Sequence, residues 1–125
     1  MYTVTVTTDF VAQHFLTVPD PGPEGQVHSH HYELAVECEG PELNEYGYLL
    51  DIDDLTAAID GIEERYRDEL LNDLDDFSDL NPSVEQFARI VADRLAGDLN
   101  APKVETLRVR IHEDEIAWAA YERAI

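Results

Sequence analysis

The segment Gln26–Cys38, QVHSHHYELAVEC, alternates between two kinds of residue and decides how the rest of the chain is interpreted. Residues two apart on a β-strand share a face, so the alternation predicts a strand with one buried and one exposed face. His31 has the exposed phase and is predicted to face outward. The opposite, apolar phase contains His28, His30, Tyr32, Leu34, Val36 and Cys38.

A preceding strand presents a third histidine. YTVTVTT, continued by DFVAQHFLTV as far as Val18, predicts a strand on which His14 shares its phase with apolar residues. PDPGPEG, with three prolines and two glycines, predicts a hairpin loop that brings His14 beside His28 and His30. Three imidazoles on one face, with no fourth protein ligand nearby in sequence, are typical of an open zinc site. The alternative is that each is a core histidine satisfied within the fold, and spacing alone leaves both interpretations open.

The remaining chain predicts two helices and two further strands. A helical stripe of period three to four comprises Ile52, Leu55, Ile59, Ile62, Tyr66 and Leu70. NPSVEQFARIVADRLAG predicts a second helix, with a capping box of Ser83 and Gln86 at its start and Gly97 at its end. VETLRVRIHEDEIAWAAYERAI alternates again and breaks at EDE into two strands. We therefore expect a single α+β domain over residues 1–125, with the order ββααββ.

The charge balance excludes one class of partner. The chain has 28 acidic against 8 basic residues and a formal net charge of −20, so it lacks the basic footprint that binds nucleic acid. Acidic runs such as DIDD lack the pattern of a calcium loop and indicate a solvated surface of the kind adapted to high salt. No apolar run approaches a membrane span and no signal sequence begins the chain, which predicts a cytoplasmic protein without a membrane partner.

Two further residues, Cys38 and Glu113, have side chains that are candidates for chemistry. Cys38 is the only cysteine and lies in the apolar phase, so a structural role is expected and an intrachain disulfide is excluded. Glu113 is in phase with Leu107, Val109 and Ile111, which places a carboxylate at the end of an inward face, whereas His112 points outward. Either Glu113 binds two adjacent N–H donors, such as the amidine edge of a pterin or guanine, or it lies in water at a frayed strand end.

Five segments, in order along the chain, resemble the motifs of one family: FVAQH, HSHHY, YGYLLDIDDL, NPSVEQFA and VRIHEDEIAWAAY. The resemblance is to the 6-pyruvoyl-tetrahydropterin synthase and 6-carboxytetrahydropterin synthase family, which has the tunnelling fold, or T-fold. It implies zinc bound by His14, His28 and His30, and a pterin anchored by Glu113. The helix start with Ser83 and Glu85 is similar to one that helps hold the pterin. The family also implies a homo-oligomer, a trimer or hexamer, with its sites between subunits.

Two positions depart from the family pattern. Its catalytic cysteine lies four residues before the first histidine of H-x-H, where this chain has Glu24, and its catalytic histidine corresponds to Asp68 in RDELLN. The resemblance thus assigns Glu24 as the base and Asp68 as a second proton carrier. Few cations are present to bind a substrate triphosphate, and Arg65 and Arg67 are the candidates within the chain.

Three functions follow from the resemblance and its departures. The first is a zinc-dependent lyase of the synthase type, acting on the side chain of 7,8-dihydroneopterin or its triphosphate. The second is aldolase-like cleavage that gives 6-hydroxymethyl-dihydropterin. The third is a non-catalytic protein that binds a pterin or purine.

Overall fold

The computed structural model describes all residues from 1 to 125 and contains one four-stranded antiparallel sheet with two α-helices. The strands follow the sequence order across the sheet, with β1 and β4 at its two edges. This architecture confirms the predicted α+β class and the order ββααββ. The elements are β1 (Tyr2–His14), β2 (His28–Gly40), α1 (Ile52–Tyr66), α2 (Val84–Asp98), β3 (Thr106–His112) and β4 (Trp118–Ala124).

The β1–β2 hairpin has the register that the alternating pattern predicts. His14 lies opposite His28, and Ala12 lies opposite His30. The connecting loop contains a short 3-10 helix at Gly22–Gly25. Because the side-chain period of a strand is two, this register places His14, His28 and His30 on one face of the sheet.

The prediction that β1 continues to Val18 is wrong, because the strand ends at His14. Beyond it, the Asn72 side chain accepts a hydrogen bond from the Phe15 amide and donates one to the Phe15 carbonyl. The Leu16 amide donates to the carbonyl of Glu24 at 2.8 Å. These bonds replace the ladder, so the apolar alternation of this segment reflects loop packing rather than strand pairing.

The helices cover one face of the sheet and enclose a core of 25 buried hydrophobic residues. Of the predicted stripe on α1, Leu55, Ile59, Ile62 and Tyr66 are buried, as expected for a helix that packs through one face. Ile52 begins the helix but is exposed, and Leu70 lies beyond its end. None of the helices is long and apolar enough to cross a membrane.

The start of α2 follows the predicted signal in part. The Ser83 hydroxyl caps the helix by accepting a hydrogen bond from the Gln86 amide at 3.1 Å. The Gln86 side chain accepts from Arg89 instead of returning to Ser83, so the capping box is half formed. The helix continues through Gly97 to Asp98, one residue past the predicted end.

An ionic cluster ties the α1–α2 connection to both helices. The Asp76 carboxylate accepts paired hydrogen bonds from the Arg65 guanidinium and from the Arg94 guanidinium, and another from the Tyr66 hydroxyl at 2.5 Å. The Asp76 side chain is 9% exposed. We call Arg65, Tyr66, Asp76 and Arg94 the Asp76 cluster.

The opposite face of the sheet is not covered by any helix, and the two outer strands have open edges. Along β1 the edge is covered only near His14, where the Asp68 amide donates to the Val11 carbonyl and the Gln13 amide donates to the Glu69 carbonyl. No other strand pairs with the outer edge of β4.

Candidate metal centre

The three histidine rings of His14, His28 and His30 form a nearly equilateral triangle. Their ring centroids lie 4.6, 4.8 and 5.0 Å apart, and the rings meet edge to face. One nitrogen from each ring lies within 4.8 Å of the other two. This arrangement could hold a metal ion with three imidazole ligands. We call these residues the histidine triad.

Backbone carbonyls orient two rings of the triad. His14 Nδ1 lies 2.8 Å from the carbonyl oxygen of Pro82, and His28 Nδ1 lies 2.8 Å from that of Gln26. A carbonyl can only accept, so Nδ1 carries a proton in both rings, and in the neutral imidazole Nε2 then has the lone pair that a metal would bind. The Nε2 atoms of all three histidines are buried and form no hydrogen bond. Buried polar atoms without partners are rare in folded proteins, and one bound metal ion would satisfy all three.

The surroundings favour the neutral imidazole that a metal requires. His14 is 1% exposed, and this burial lowers its pKa below the usual value of 6.5. The hydrogen bond to Pro82 opposes the shift, while the neighbouring charges of His28 and His30 add to it. Metal ligation needs the deprotonated ring, so the lowered pKa of His14 favours the ligand form near neutral pH.

Glu113 directs a carboxylate at the triad from the turn after β3. Its Oε1 lies 2.8 Å from His30 Nε2 and 4.0 Å from His14 Nε2. Burial is the largest cause that raises the pKa of Glu113, and the nearby carboxylates Glu24 and Asp114 act in the same direction. The side chain of Glu113, which was predicted to face inward, therefore lies against the triad rather than in open water.

A cavity of about 260 Å³ adjoins this carboxylate. Glu113 and Glu85 both line it, and four apolar or aromatic residues complete the wall: Val84, Ala117, Trp118 and Ala119. Ser83 does not line the cavity, because its hydroxyl is engaged in the cap of α2. It lies next to Pro82, so the helix start that holds Glu85 at the cavity also supplies the carbonyl that orients His14.

The two predicted proton carriers lie in different places. Glu24 is exposed on the β1–β2 loop, and its charge affects the pKa of both His14 and Glu113, which places it near the triad. Asp68 is exposed at the edge of β1, with a left-handed φ of 60°, and its side chain forms no hydrogen bond or ion pair with the triad. Glu24 therefore acts on the triad through its charge, whereas Asp68 lies at the edge of β1.

The remaining candidates lie outside the triad. Burial raises the pKa of Cys38 to about 11, in keeping with the expected structural role. His31 faces outward, and its Nε2 lies 3.0 Å from Oδ2 of Asp9. Arg65 is held in the Asp76 cluster, and Arg67 pairs with Glu63 on its own helix, so the structure directs neither guanidinium to the triad.

Sequence reasoning did not find the carbonyls of Pro82 and Gln26, which orient the triad. Main-chain oxygens have no residue-type signature, and Pro82 is 68 residues from His14 along the chain. The only available signal was the dipeptide Asn81-Pro82 before the helix cap, which fixes the chain direction there.

One known family matches nearly the whole length of the chain. The family model described as 6-pyruvoyl tetrahydropterin synthase matches residues 3–124. The chain belongs to the 6-pyruvoyl tetrahydropterin synthase family. A curated relative from Bacillus subtilis (strain 168), 6-carboxy-5,6,7,8-tetrahydropterin synthase, is 28% identical over 116 residues, which cover 88% of this chain and 77% of the relative.

Solved structures of the 6-pyruvoyl tetrahydropterin synthase family share the fold. The Caenorhabditis elegans synthase superposes with a TM-score of 0.84 at 18% identity, covering 98% of this chain and 95% of its own. A Plasmodium vivax synthase, described as a catalytic residue mutant in which alanine replaces a glutamate, has a TM-score of 0.79 at 14% identity, with full coverage of both chains. The four-stranded sheet with its two inserted helices is therefore the T-fold of this family.

Proposed function

We propose that this chain is a zinc-dependent lyase that acts on the side chain of 7,8-dihydroneopterin or its triphosphate. The observation that carries the proposal is the convergence of three buried Nε2 atoms without hydrogen-bond partners, beside the Glu113 carboxylate and its cavity. Membership in the pterin synthase family and the name of the Bacillus subtilis relative support the substrate class. We further propose that the protein works in the cytoplasm at high salt, where screening relieves the repulsion of its −20 charge.

In this proposal His14, His28 and His30 hold the zinc, and the cavity holds the pterin ring. A zinc ion there would supply Lewis-acid polarisation of the side-chain oxygens of the substrate. Glu113 would accept the two adjacent N–H donors of the ring in bidentate fashion. Glu85 lines the same cavity, and Ser83 positions the helix start that carries Glu85.

Glu24 is proposed as the general base that removes a proton from a side-chain carbon of the substrate. Its position near the triad supports this role, as does the precedent on this fold of a Plasmodium vivax synthase with a catalytic glutamate.

We propose that Asp68 serves the site of a neighbouring copy, as expected if the protein is a trimer or hexamer with sites between subunits. Its position at the edge of β1, without a side-chain bond to the triad of its own chain, supports this arrangement. Mixing two inactive variants, Glu24→Gln and Asp68→Asn, tests it. If activity returns on mixing, the two residues act across an interface; mixtures that stay inactive would place both in one subunit or outside the reaction.

The reaction is tested by product analysis. Zinc-loaded protein in high salt receives 7,8-dihydroneopterin or, separately, its triphosphate, and the products are identified by mass spectrometry. Loss of triphosphate with a rearranged side chain supports the synthase reaction. Formation of 6-hydroxymethyl-dihydropterin identifies aldolase-like cleavage, and binding without turnover identifies a binding protein. Glu24→Gln, with Glu45→Gln on an exposed loop as the matched control, tests whether turnover depends on Glu24.

A further inference from the structure

The position of Glu113 carries an inference beyond its role as a pterin anchor. We propose that Glu113 is also the fourth ligand of the metal held by the histidine triad, and that it leaves the metal when a pterin ring binds. The inference rests on the proposed metal site, but it does not depend on which reaction the protein catalyses.

The distances support a shared coordination sphere. At metal–ligand distances of about 2.1 Å, two ligands of a tetrahedral zinc site lie about 3.4 Å apart. Glu113 Oε1 lies 2.8 Å from His30 Nε2 and 4.0 Å from His14 Nε2, on either side of that value. The carboxylate oxygen therefore lies beside two of the three histidine nitrogens, close enough to reach a metal held between them after a small shift of its side chain.

The orientation of the contact also supports ligation. Although 2.8 Å is a hydrogen-bonding distance, the contact between Glu113 and His30 does not have the angles of a hydrogen bond, and His30 Nε2 remains without a partner. Donor atoms around a metal point at a common centre rather than at one another. The side chains are 24% and 19% exposed, so the pair is only partly open to water.

The Glu113 carboxylate has two competing partners, the N–H donors of a bound ring and the metal. It cannot bind both fully at the same time. It lines the 260 Å³ cavity, where ring N–H donors would compete for its oxygens, and it approaches the triad, where the metal would bind them. Binding of the ring would draw Glu113 away from the metal and vacate one coordination position. The metal would then be open only when the cavity is filled, which limits access of other small ligands to it.

Metal affinity tests the first half of the inference. Zinc binding is measured by competition with a chromogenic chelator for the parent protein, Glu113→Ala, Glu113→Gln and the control Glu85→Ala, which lines the same cavity. Since even outer-shell partners of metal ligands typically contribute 10–100-fold, we expect Glu113→Ala to weaken zinc binding at least about tenfold. Affinity within twofold for all four proteins overturns ligation by Glu113. Circular dichroism confirms that each variant is folded, and Glu113→Gln preserves the side-chain shape.

Cobalt spectroscopy tests the second half. The visible absorption of the Co²⁺-loaded protein is recorded for the parent and Glu113→Ala, with and without pterin, whose binding is followed separately by its fluorescence. We expect the parent spectrum to change when pterin binds and the spectrum of Glu113→Ala to differ from the parent before pterin is added. A parent spectrum that stays constant while pterin binds overturns the exchange. Failure of the parent to bind zinc or cobalt refutes the metal site itself, whereas Glu113-dependent metal binding without turnover refutes only the proposed reaction.

Discussion

Two clusters of ionisable side chains lie in this small fold, the Asp76 cluster and the histidine triad. Their polar atoms differ in how fully they are hydrogen-bonded. In the Asp76 cluster, one carboxylate accepts hydrogen bonds from two guanidinium groups and a hydroxyl, all within the chain. In the histidine triad, three buried nitrogens form no hydrogen bond. Protein interiors tolerate the first arrangement as structure, whereas the second indicates a site that an external ligand completes. Hydrogen bonding thus separates the two clusters more clearly than burial or charge does.

The largest expected effect comes from removing one member of the triad. If about 10–16 kcal/mol of zinc binding were shared among four ligands, loss of one would weaken binding by about 2.5–4 kcal/mol, or roughly 60- to 700-fold. We expect this for His28→Ala, with little change in the free energy of unfolding, because its ring bonds only to the Gln26 carbonyl. Isothermal titration with Zn²⁺ measures the effect. His31→Ala, on the opposite face of the same strand, is the matched control and should bind zinc as the parent does.

The converse is expected for the other cluster. Asp76→Ala leaves two partly exposed guanidinium groups and the buried Tyr66 hydroxyl without their shared acceptor, and the loss of these hydrogen bonds reduces the free energy of unfolding by about 2–3 kcal/mol. Urea denaturation measures this change, with the exposed neighbour Asp75→Ala as the control. Zinc affinity should stay within about threefold of the parent. A large loss of zinc binding would show that the two clusters are not independent.

Lowering the pH should show how much the Asp76 cluster contributes to the free energy of unfolding. Hydrogen bonds from Arg65 lower the pKa of Asp76 far below its usual 3.8, with Arg94 and Tyr66 acting in the same direction. A carboxylate with a lowered pKa binds fewer protons in the folded state, so its stabilisation is present above pH 3.8 and is lost as pH falls through the folded pKa. We expect Asp76→Asn to be less stable than the parent by about 2 kcal/mol at pH 7. That difference should shrink below pH 3.8; urea curves that keep it constant into strong acid would contradict the assignment.

The smallest expected effect lies at Ser83, which stands between the two clusters. Ser83→Ala removes the cap of α2 and should reduce the free energy of unfolding by about 1 kcal/mol. Ser78→Ala, whose hydroxyl forms no hydrogen bond, is the control for losing a serine hydroxyl near the same connection. Thermal unfolding distinguishes them. Equal melting temperatures for the two variants would mean that the cap contributes nothing measurable.

The sequence predicted the fold well because the spacing of its apolar residues indicates both the type of each element and the face that it buries. The alternation in β2 and the apolar stripe on α1 each predicted one buried face, and both of these faces are buried in the structure. The end of β1 was missed because Phe15 bonds to Asn72, which lies 57 residues away and has no local signal. The type and order of the elements were therefore predictable, and the boundary that depended on tertiary bonds was not.

The side chains of the candidate site were predictable from the sequence, but the main-chain groups that orient them were not. Phase alone selected His14, His28 and His30, and it placed Glu113 on an inward face. It could not indicate that Glu113 would reach the triad, because the turn after Glu113 is closed by a main-chain hydrogen bond from its amide to the Ala117 carbonyl, which has no residue-type signal. The Asp76 cluster was also missed: its charges come from three segments, and in a chain with 28 acidic residues no single aspartate stands out.

The open edges of β1 and β4 have a consequence for how copies of this chain meet. Unpaired strand edges attract other strands, yet each copy carries a net charge of −20, so any two copies repel before their edges can pair. Dissolved salt shortens the range of that repulsion, and mass action favours encounters at high concentration. Dilution and desalting therefore drive the population in the same direction, toward separated chains, and a purification that combines them selects the least associated form of the protein.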